Sequence, residues 1–457
     1  MTMPLKKELS LLTATLYGVG IILGAGIYVL IGQGAAIAGD ALWMSFVVAA
    51  LIAFFTGMSY AELAGMFPKT AAEYVYTNRA FRKNWLSFLV QWVMMFSLII
   101  SATVVALGFG NYFSAMFSGS AVLTAALLIA GLSAISYIGI KESVRISAIS
   151  ALIEMGGLLL VIAVSAPYIG NPAVNYFEVP SVLSIFSATA LIFFAYIGFE
   201  GLANMTEDTR NASKVMPKAL LLSILITTIL YVLVSIAAVS IAGSGVLASS
   251  SAPLADVTEL ALPGSSWLLS VIALIATGST VLALLIIGSR MFYGMARNHS
   301  MPAVLGKTGK RKTPYVAIAA VMVLSIIPLL LGGLGTLALL TDMGIFIVYF
   351  FVNASVIALR YKMPRAKRSF RSPINIGKFP VLALLGITTS LLMLLHFDAA
   401  IVYYQLAAIL AGFAVYIIFR KARNMHKERY ARFFRKPVIL MRSIVKNGTR
   451  YMRDAPV

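Results

Sequence analysis

The 457-residue chain has no cysteine, three histidines and few charges, with Asp, Glu, Lys and Arg together making up 11 % of it. Without cysteine there are no disulfides, no thiolate metal sites and no thiol nucleophile, and the redox compartment cannot be read from cysteine usage. His299, His396 and His426 are too scattered in sequence for a metal cluster, so no metal centre is expected. No nucleophile–base pair falls inside an apolar run, so an enzyme is not expected either. What remains is hydrophobic: 60 % of the residues. That composition excludes an ordinary soluble domain and points to an all-α polytopic membrane protein.

Positive charge is missing from long stretches. All 36 lysines and arginines fall in seven clusters, at residues 6–7, 69–83, 141–145, 210–218, 290–312, 360–378 and 420–453. The six intervening stretches, 8–68, 84–140, 146–209, 219–289, 313–359 and 379–419, contain none and are 41 to 71 residues long. A spanning helix takes about 20 residues, so each stretch holds a helical hairpin and an outer loop, giving twelve spans. Positive residues stay on the cytoplasmic side, which places the clusters and both termini there. The outer loops carry only acids: Asp40, Glu178, Asp256 with Glu259, and Asp398. The net charge of +20, which in a soluble chain suggests nucleic acid, is therefore a topology signal, and no nucleic-acid partner is expected. Lys6-Lys7 before an apolar run resembles a signal peptide, but no small-residue cleavage site closes it. The expected spans are 11–33, 40–66, 85–113, 121–140, 144–168, 181–205, 219–243, 267–295, 315–334, 337–360, 379–397 and 399–420. The outer loop 244–266 is the longest and has room for a short lid helix.

Within the first span, glycine stands at 18, 20, 24, 26 and 32. Glycine inside a helix costs about 1 kcal/mol against alanine, so Gly24-Ala25-Gly26 predicts a weakened or broken helix. One reading is close packing on small residues; the other is broken backbone lining a ligand site. The sixth span has a similar interruption, Phe193-Phe194-Ala195-Tyr196-Ile197-Gly198-Phe199-Glu200-Gly201. Spans 1 and 6 open two consecutive groups of five, and breaks at corresponding places in two halves point to an inverted-repeat transporter with its site at the midplane.

Ionisable groups inside a bilayer are expensive and usually functional. Glu154 and Glu200 fall well inside spans; Glu154 lies about ten residues past Arg145, roughly 15 Å deep at about 1.5 Å per residue. Glu62 lies nearer the inner surface and Glu207-Asp208 at the cytoplasmic end of span 6, where a gate or loop ion pair is the preferred reading. Span 8 offers hydroxyls in Ala276-Thr277-Gly278-Ser279-Thr280, which also suit plain hydrogen bonds to the preceding turn.

Several segments then become familiar in order and spacing: Gly24-Ala25-Gly26-Ile27-Tyr28; Ser59-Tyr60-Ala61-Glu62-Leu63-Ala64-Gly65-Met66-Phe67-Pro68 leading to Glu73-Tyr74-Val75-Tyr76; Gly139-Ile140-Lys141-Glu142-Ser143; and Phe194 to Glu200. Further along come Thr206 to Asn211 with Met216-Pro217-Lys218, Ser289 to Arg297, and Leu359 to Pro364 continuing through Arg368 to Pro373. From about residue 10 to residue 420 the chain resembles the amino acid–polyamine–organocation (APC) transporter superfamily. The resemblance implies a LeuT-type 5+5 inverted repeat. The expected segments are a cytoplasmic N-terminus 1–10, a first repeat 11–168, a second repeat 181–360, two further helices over 379–420 and a basic tail 421–457. It implies an amino acid as substrate, its carboxylate held by backbone N–H groups of Gly24, Ala25 and Gly26 at a half-helix end. Its ammonium would be held by carbonyls of Ile21, Ile22, Phe194, Ala195 and Ile197. Gly198 and Glu200 belong to the same break, and Tyr196, Phe199 and Phe194 are pocket or gate aromatics, or packing rings.

No cofactor is implied beyond a coupling ion, H⁺ or Na⁺. Sodium-coupled members of this fold match here at Ala276, Ser279 and Thr280, with Gly20 and Leu23 supplying carbonyls; such oxygens suit a hard cation. Other members place a helix 5 lysine in that space, where this chain has Glu154. A dehydrated carboxyl takes up a proton readily enough to serve as a carrier, and an ionised one strengthens a cation site. The expected activity is secondary active transport of amino acids by alternating access in a prokaryotic plasma membrane, with proton symport favoured and sodium symport or exchange of amino acids or polyamines as alternatives. The basic tail, with its apolar residues interleaved, suits an anionic inner leaflet or a partly disordered positive-inside tail.

Overall fold

A computed structural model describes residues 10–24, 26–68, 72–138, 144–203 (backbone alone for 144–148), 209, 211–297, 301–309, 311 and 313–419. Ala25, Glu207, Asp208 and the basic tail 421–457, all singled out above, lie outside the described residues.

The described chain is almost entirely helical. Its first half runs α1 (Leu11–Leu23), α2 (Gly26–Ala38), α3 (Leu42–Met66), α4 (Ala72–Phe81), α5 (Asn84–Phe117), α6 (Ala121–Ile138) and α7 (Val144–Ser165). The second half runs α8 (Val182–Ile192), α9 (Phe199–Ala203), α10 (Ala212–Ser249), α11 (Pro253–Ala261), α12 (Ser266–Arg297), α13 (Tyr315–Ile326), α14 (Leu334–Lys362) and α15 (Val381–Leu394). A last helix, α16 (Ala399–Phe419), follows. Among the described residues, nine helical stretches are long and apolar enough to cross a membrane, and three shorter apolar helices accompany them. The chain is thus an all-α polytopic membrane protein.

The first span is broken where the glycines predicted. Gly24, at φ +20°, ends α1, and α2 begins at Gly26. The sixth is broken too: α8 tightens into a 3-10 turn at Phe193–Tyr196, Ile197 is extended, and Gly198 at φ +133° turns the chain into α9. At Gly198 a side chain would be strained, because that φ belongs to glycine.

Three features differ from the expectation. Glu73 and Tyr76 lie on a separate short helix, α4, preceded by Pro68. The seventh span continues past residue 243 as α10, bending at Gly243 (φ +68°) and running to Ser249. A two-residue hairpin, Asn375–Ile376 against Phe379–Pro380, interrupts the helices between α14 and α15. The stretch 244–266, expected as the longest outer loop, holds a helix, α11, with Pro253 at its first position.

With lipid outside, helix faces are sorted by how closely backbones approach rather than by polarity. A Cβ at Gly57 of α3 would lie 2.5 Å from Ile224 of α10, and one at Gly32 of α2 would lie 2.5 Å from the Leu247 carbonyl oxygen. The first contact presses α3 on α10 and the second presses α10 on α2, while α5 packs on α12 and α14.

Candidate functional site at the two helix breaks

The two breaks meet. A Cβ at Gly26 would collide with the Cα of Ala195, and one at Gly198 would fall 2.9 Å from the carbonyl oxygen of Ile21. Glycine at both positions therefore serves close backbone approach, bringing Ile21, Gly26, Ala195 and Gly198 together. Tyr231 of α10 ties the junction: its hydroxyl donates within 2.7 Å of the Ile22 carbonyl and 2.9 Å of the Ala195 carbonyl, with Leu23 at 3.4 Å. Gly24 N–H donates to Gly20 O at 3.0 Å, closing α1. Ile197 N–H donates to Phe194 O at 3.2 Å. The first turn of α2, from Gly26, then carries the N–H groups that a helix start leaves without intrahelical acceptors.

Glu200 is engaged within its own break. Both carboxylate oxygens accept from Gly198 N–H, at 3.0 and 3.1 Å, which caps α9, and Oε2 also accepts from Tyr349 Oη at 3.0 Å. Tyr196 and Phe199 have partners within the protein: Tyr196 donates to Phe46 O at 3.1 Å, and the Phe199 ring packs on Tyr60 and Tyr349 at 5.6 and 5.4 Å.

A second polar group forms between α1, α7 and α12. Ser279 Oγ lies 3.3 Å from Glu154 Oε1 and 3.0 Å from Ala276 O, while Thr280 Oγ1 donates to Ala276 O at 2.8 Å. A Cβ at Gly24 would sit 3.1 Å from Thr280 Oγ1, so this group abuts the break in helix 1. Glu154 is buried, and its Oε2 has no hydrogen-bond partner among the described residues. Tyr28 of α2 donates to the Glu154 carbonyl at 2.7 Å, and Tyr112 of α5 donates to the Tyr28 carbonyl at 3.0 Å. The residues proposed separately for proton and for sodium thus share one place. Of the two carbonyls expected there, Gly20 O accepts from Gly24 and Leu23 O faces Tyr231.

These arrangements belong to a recognisable group of proteins. A family model described as "Amino acid permease" matches residues 9–427. The chain belongs to that family. It is 31 % identical over 445 residues to the branched-chain amino acid permease BcaP of Bacillus subtilis, a match covering 92 % of this chain and 94 % of that one. It is 30 % identical over 400 residues to the methylthioribose transporter of the same organism, covering 81 % and 84 %. A vacuolar cationic amino acid transporter 4 of Arabidopsis thaliana is 26 % identical over 386 residues, covering 79 % and 64 %. The permease is therefore a multi-pass transporter rather than an enzyme.

Two groups in this permease escaped the reading of the sequence, as did the partners of a third. Asp342 on α14 is a third acid inside a span, fully buried, with neither carboxylate oxygen in hydrogen-bond geometry. The test that raised Glu154, an acid inside a stretch without Lys or Arg, also picks out Thr341-Asp342-Met343-Gly344. Tyr231 carries no sequence signal, being one tyrosine among 20. Glu62 has the expected ion pair, but with partners only the fold reveals: Arg360 at 2.6 Å through two nitrogens and Arg368 at 3.0 Å.

Proposed function

We propose that the permease is a proton-coupled symporter of amino acids in a prokaryotic plasma membrane, working by alternating access. Its frame is read as LeuT-type: twelve spans with both termini cytoplasmic, inverted repeats over 11–168 and 181–360, and two further helices over 379–420. The meeting of the breaks at Gly26–Ala195 and Ile21–Gly198 supports that frame, since it joins the first helices of the two repeats at one point. The substrate carboxylate is assigned to the N–H groups opening α2, with the positive end of that half-helix behind them. Its ammonium is assigned to break carbonyls, chiefly Ile21 and Ile197, which take none of the Tyr231 bonds.

One observation carries the proton reading. Ser279 has a single hydroxyl hydrogen yet lies within hydrogen-bond distance of both Glu154 Oε1 and Ala276 O. Both contacts are satisfied at once when Glu154 carries a proton and donates it to Ser279 Oγ, while Ser279 donates to Ala276 O. An ionised Glu154 breaks this arrangement, which couples the protonation of α7 to its contact with α12. Sodium is the alternative, because the oxygens of Glu154, Ser279 and Thr280 gather beside Gly24.

Neutral, branched apolar side chains are the favoured cargo. Glu200 is bonded to Gly198 and Tyr349 rather than left to meet a cationic group, and the Bacillus relative bears a branched-chain name. The basic tail is assigned to the anionic inner leaflet; its deletion is expected to weaken association with anionic lipid or transport, and no change in either would leave it an ordinary positive-inside tail.

Purified protein in liposomes tests this reading. Leucine uptake is expected to rise with an inward pH gradient and to resist competition by lysine, arginine and methylthioribose. Glu154→Gln is expected to remove the response to the gradient. A retained response moves coupling away from Glu154. Arrest of uptake in sodium-free buffer would assign it to the Ser279–Thr280 group, and leucine counterflow indifferent to both ions would assign exchange.

A further inference from the structure

Asp342 has no role in the site just described, and its surroundings are unusual for an acid. It lies eight positions into α14, about 12 Å along the helix axis. Its face of α14 continues through Phe346, whose ring is 4.7 Å from Phe193, and Tyr349, which bonds Glu200. Asp342 therefore faces the start of the break after α8, where its carboxyl lies beside the Phe194 backbone amide without hydrogen-bond geometry. The carboxyl is fully buried and unpartnered among the described residues.

An ionised carboxylate buried in this way needs a counter-charge or several donors. Neither is at hand. The stretches 84–140, 146–209 and 313–359, which supply α5, the α8–α9 break and α14 up to residue 359, contain no Lys, Arg or His. The titratable groups turned toward this region are acids and phenols: Tyr349 on the same helix, Glu200 on α9, Tyr60 on α3 and Glu73 on α4. The two acids oppose a further negative charge, and the Tyr349 and Tyr60 hydroxyls already donate to Glu200 and Glu73. The neighbouring Phe194 amide is a donor, which suits a carboxyl oxygen and repels a metal cation. A proton is the ligand that needs neither space nor further oxygens.

We propose that Asp342 is a second proton-binding site of the permease, occupied while α14 is packed on the break between α8 and α9 and emptied when the two part and water reaches the carboxyl. This inference rests on the transport reading above but not on Glu154. Each turnover then moves one proton through Asp342 in addition to any carried elsewhere.

The test is leucine accumulation at steady state in liposomes holding the full chain, with membrane voltage held at zero and the pH difference varied. Asp342→Asn, a permanent mimic of the protonated acid, is expected to lower by one the slope of log accumulation ratio against pH difference, about a tenfold loss of accumulation per pH unit. An unchanged slope overturns the proposal. Should that variant fail to reach the membrane, Asp342→Glu is expected to keep the slope and displace the pH profile of uptake; a profile coincident with wild type overturns it. Absence of leucine flux in the wild type refutes the transport reading alone. The infrared spectrum in detergent then decides the site: a carboxylic-acid C=O band lost in Asp342→Asn supports it, and no such loss overturns it.

Discussion

At Gly26 there is no room for a methyl group. The added Cβ of an alanine would meet both the Cα of Ala195 and, at 2.8 Å, its Cβ. Backbone cannot rotate aside as a flexible side chain can, so the two breaks would be forced apart at the point where both substrate ends are assigned. Gly26→Ala is expected to cut leucine uptake at least tenfold while the protein still reaches the membrane, as judged by surface labelling and radiotracer uptake; near-normal uptake would remove this junction from the site. Gly24→Ala is expected to be milder in contact, since Thr280 Oγ1 and Ile21 O stand at 3.1 Å, but strained by a φ of +20°. Both glycines and Glu154 were legible because each violates what a lipid-facing helix wants. The meeting of Glu154 with Ser279, 125 positions away in sequence, was not legible, because no local pattern encodes which hydroxyl on another helix a carboxyl will face. Asp342 was within reach of the same reasoning, since it lies inside the expected span 337–360; what the sequence does not encode is that both its oxygens are buried without a hydrogen-bond partner among the described residues.

At the scale of elements, broken helices create a problem that neighbouring helices must solve. Each break frees carbonyls that cannot stay unbonded in a dry interior. Here one side chain from α10 serves both breaks, since the Tyr231 hydroxyl stands against Ile22 O and Ala195 O while its ring lies 5.2 Å from Tyr196 and 5.7 Å from Phe46. Tyr231→Phe keeps those ring contacts and removes only the shared donor, leaving two buried carbonyls short of a bond. A loss of about 1–3 kcal/mol is expected, read as a fall of several degrees in the thermal midpoint in detergent; an unchanged midpoint would mean that other donors serve the breaks. The breaks themselves could be placed from glycine spacing. Helix α4 and the run of α10 beyond Gly243 could not: the first is too polar for a span, and the second passes a glycine that ordinarily ends a helix.

Across the whole molecule, the alternation of charged clusters with uncharged stretches set the order of the helices, and the same rule explains where buried charge is tolerated. Glu62, near the end of α3, is 1 % exposed and surrounded by two guanidinium groups and the Ser372 N–H at 3.0 Å. Arg360 comes from the end of α14, whereas Arg368 and Ser372 come from the segment that follows it, so one carboxylate fastens α3, α14 and the approach to the Asn375–Ile376 hairpin. The arrangement adds little over a well-packed apolar cluster, but its removal in part is severe, because the arginines would be left buried without their counter-charge. Glu62→Gln is expected to cost about 3–5 kcal/mol, lowering the thermal midpoint far more than Tyr231→Phe. Adding Arg360→Met to Glu62→Gln is expected to recover part of that loss, since it removes one of the unmatched charges. A double variant no more stable than Glu62→Gln would show that the three elements are held by packing, with the ion pairs merely accommodated between them.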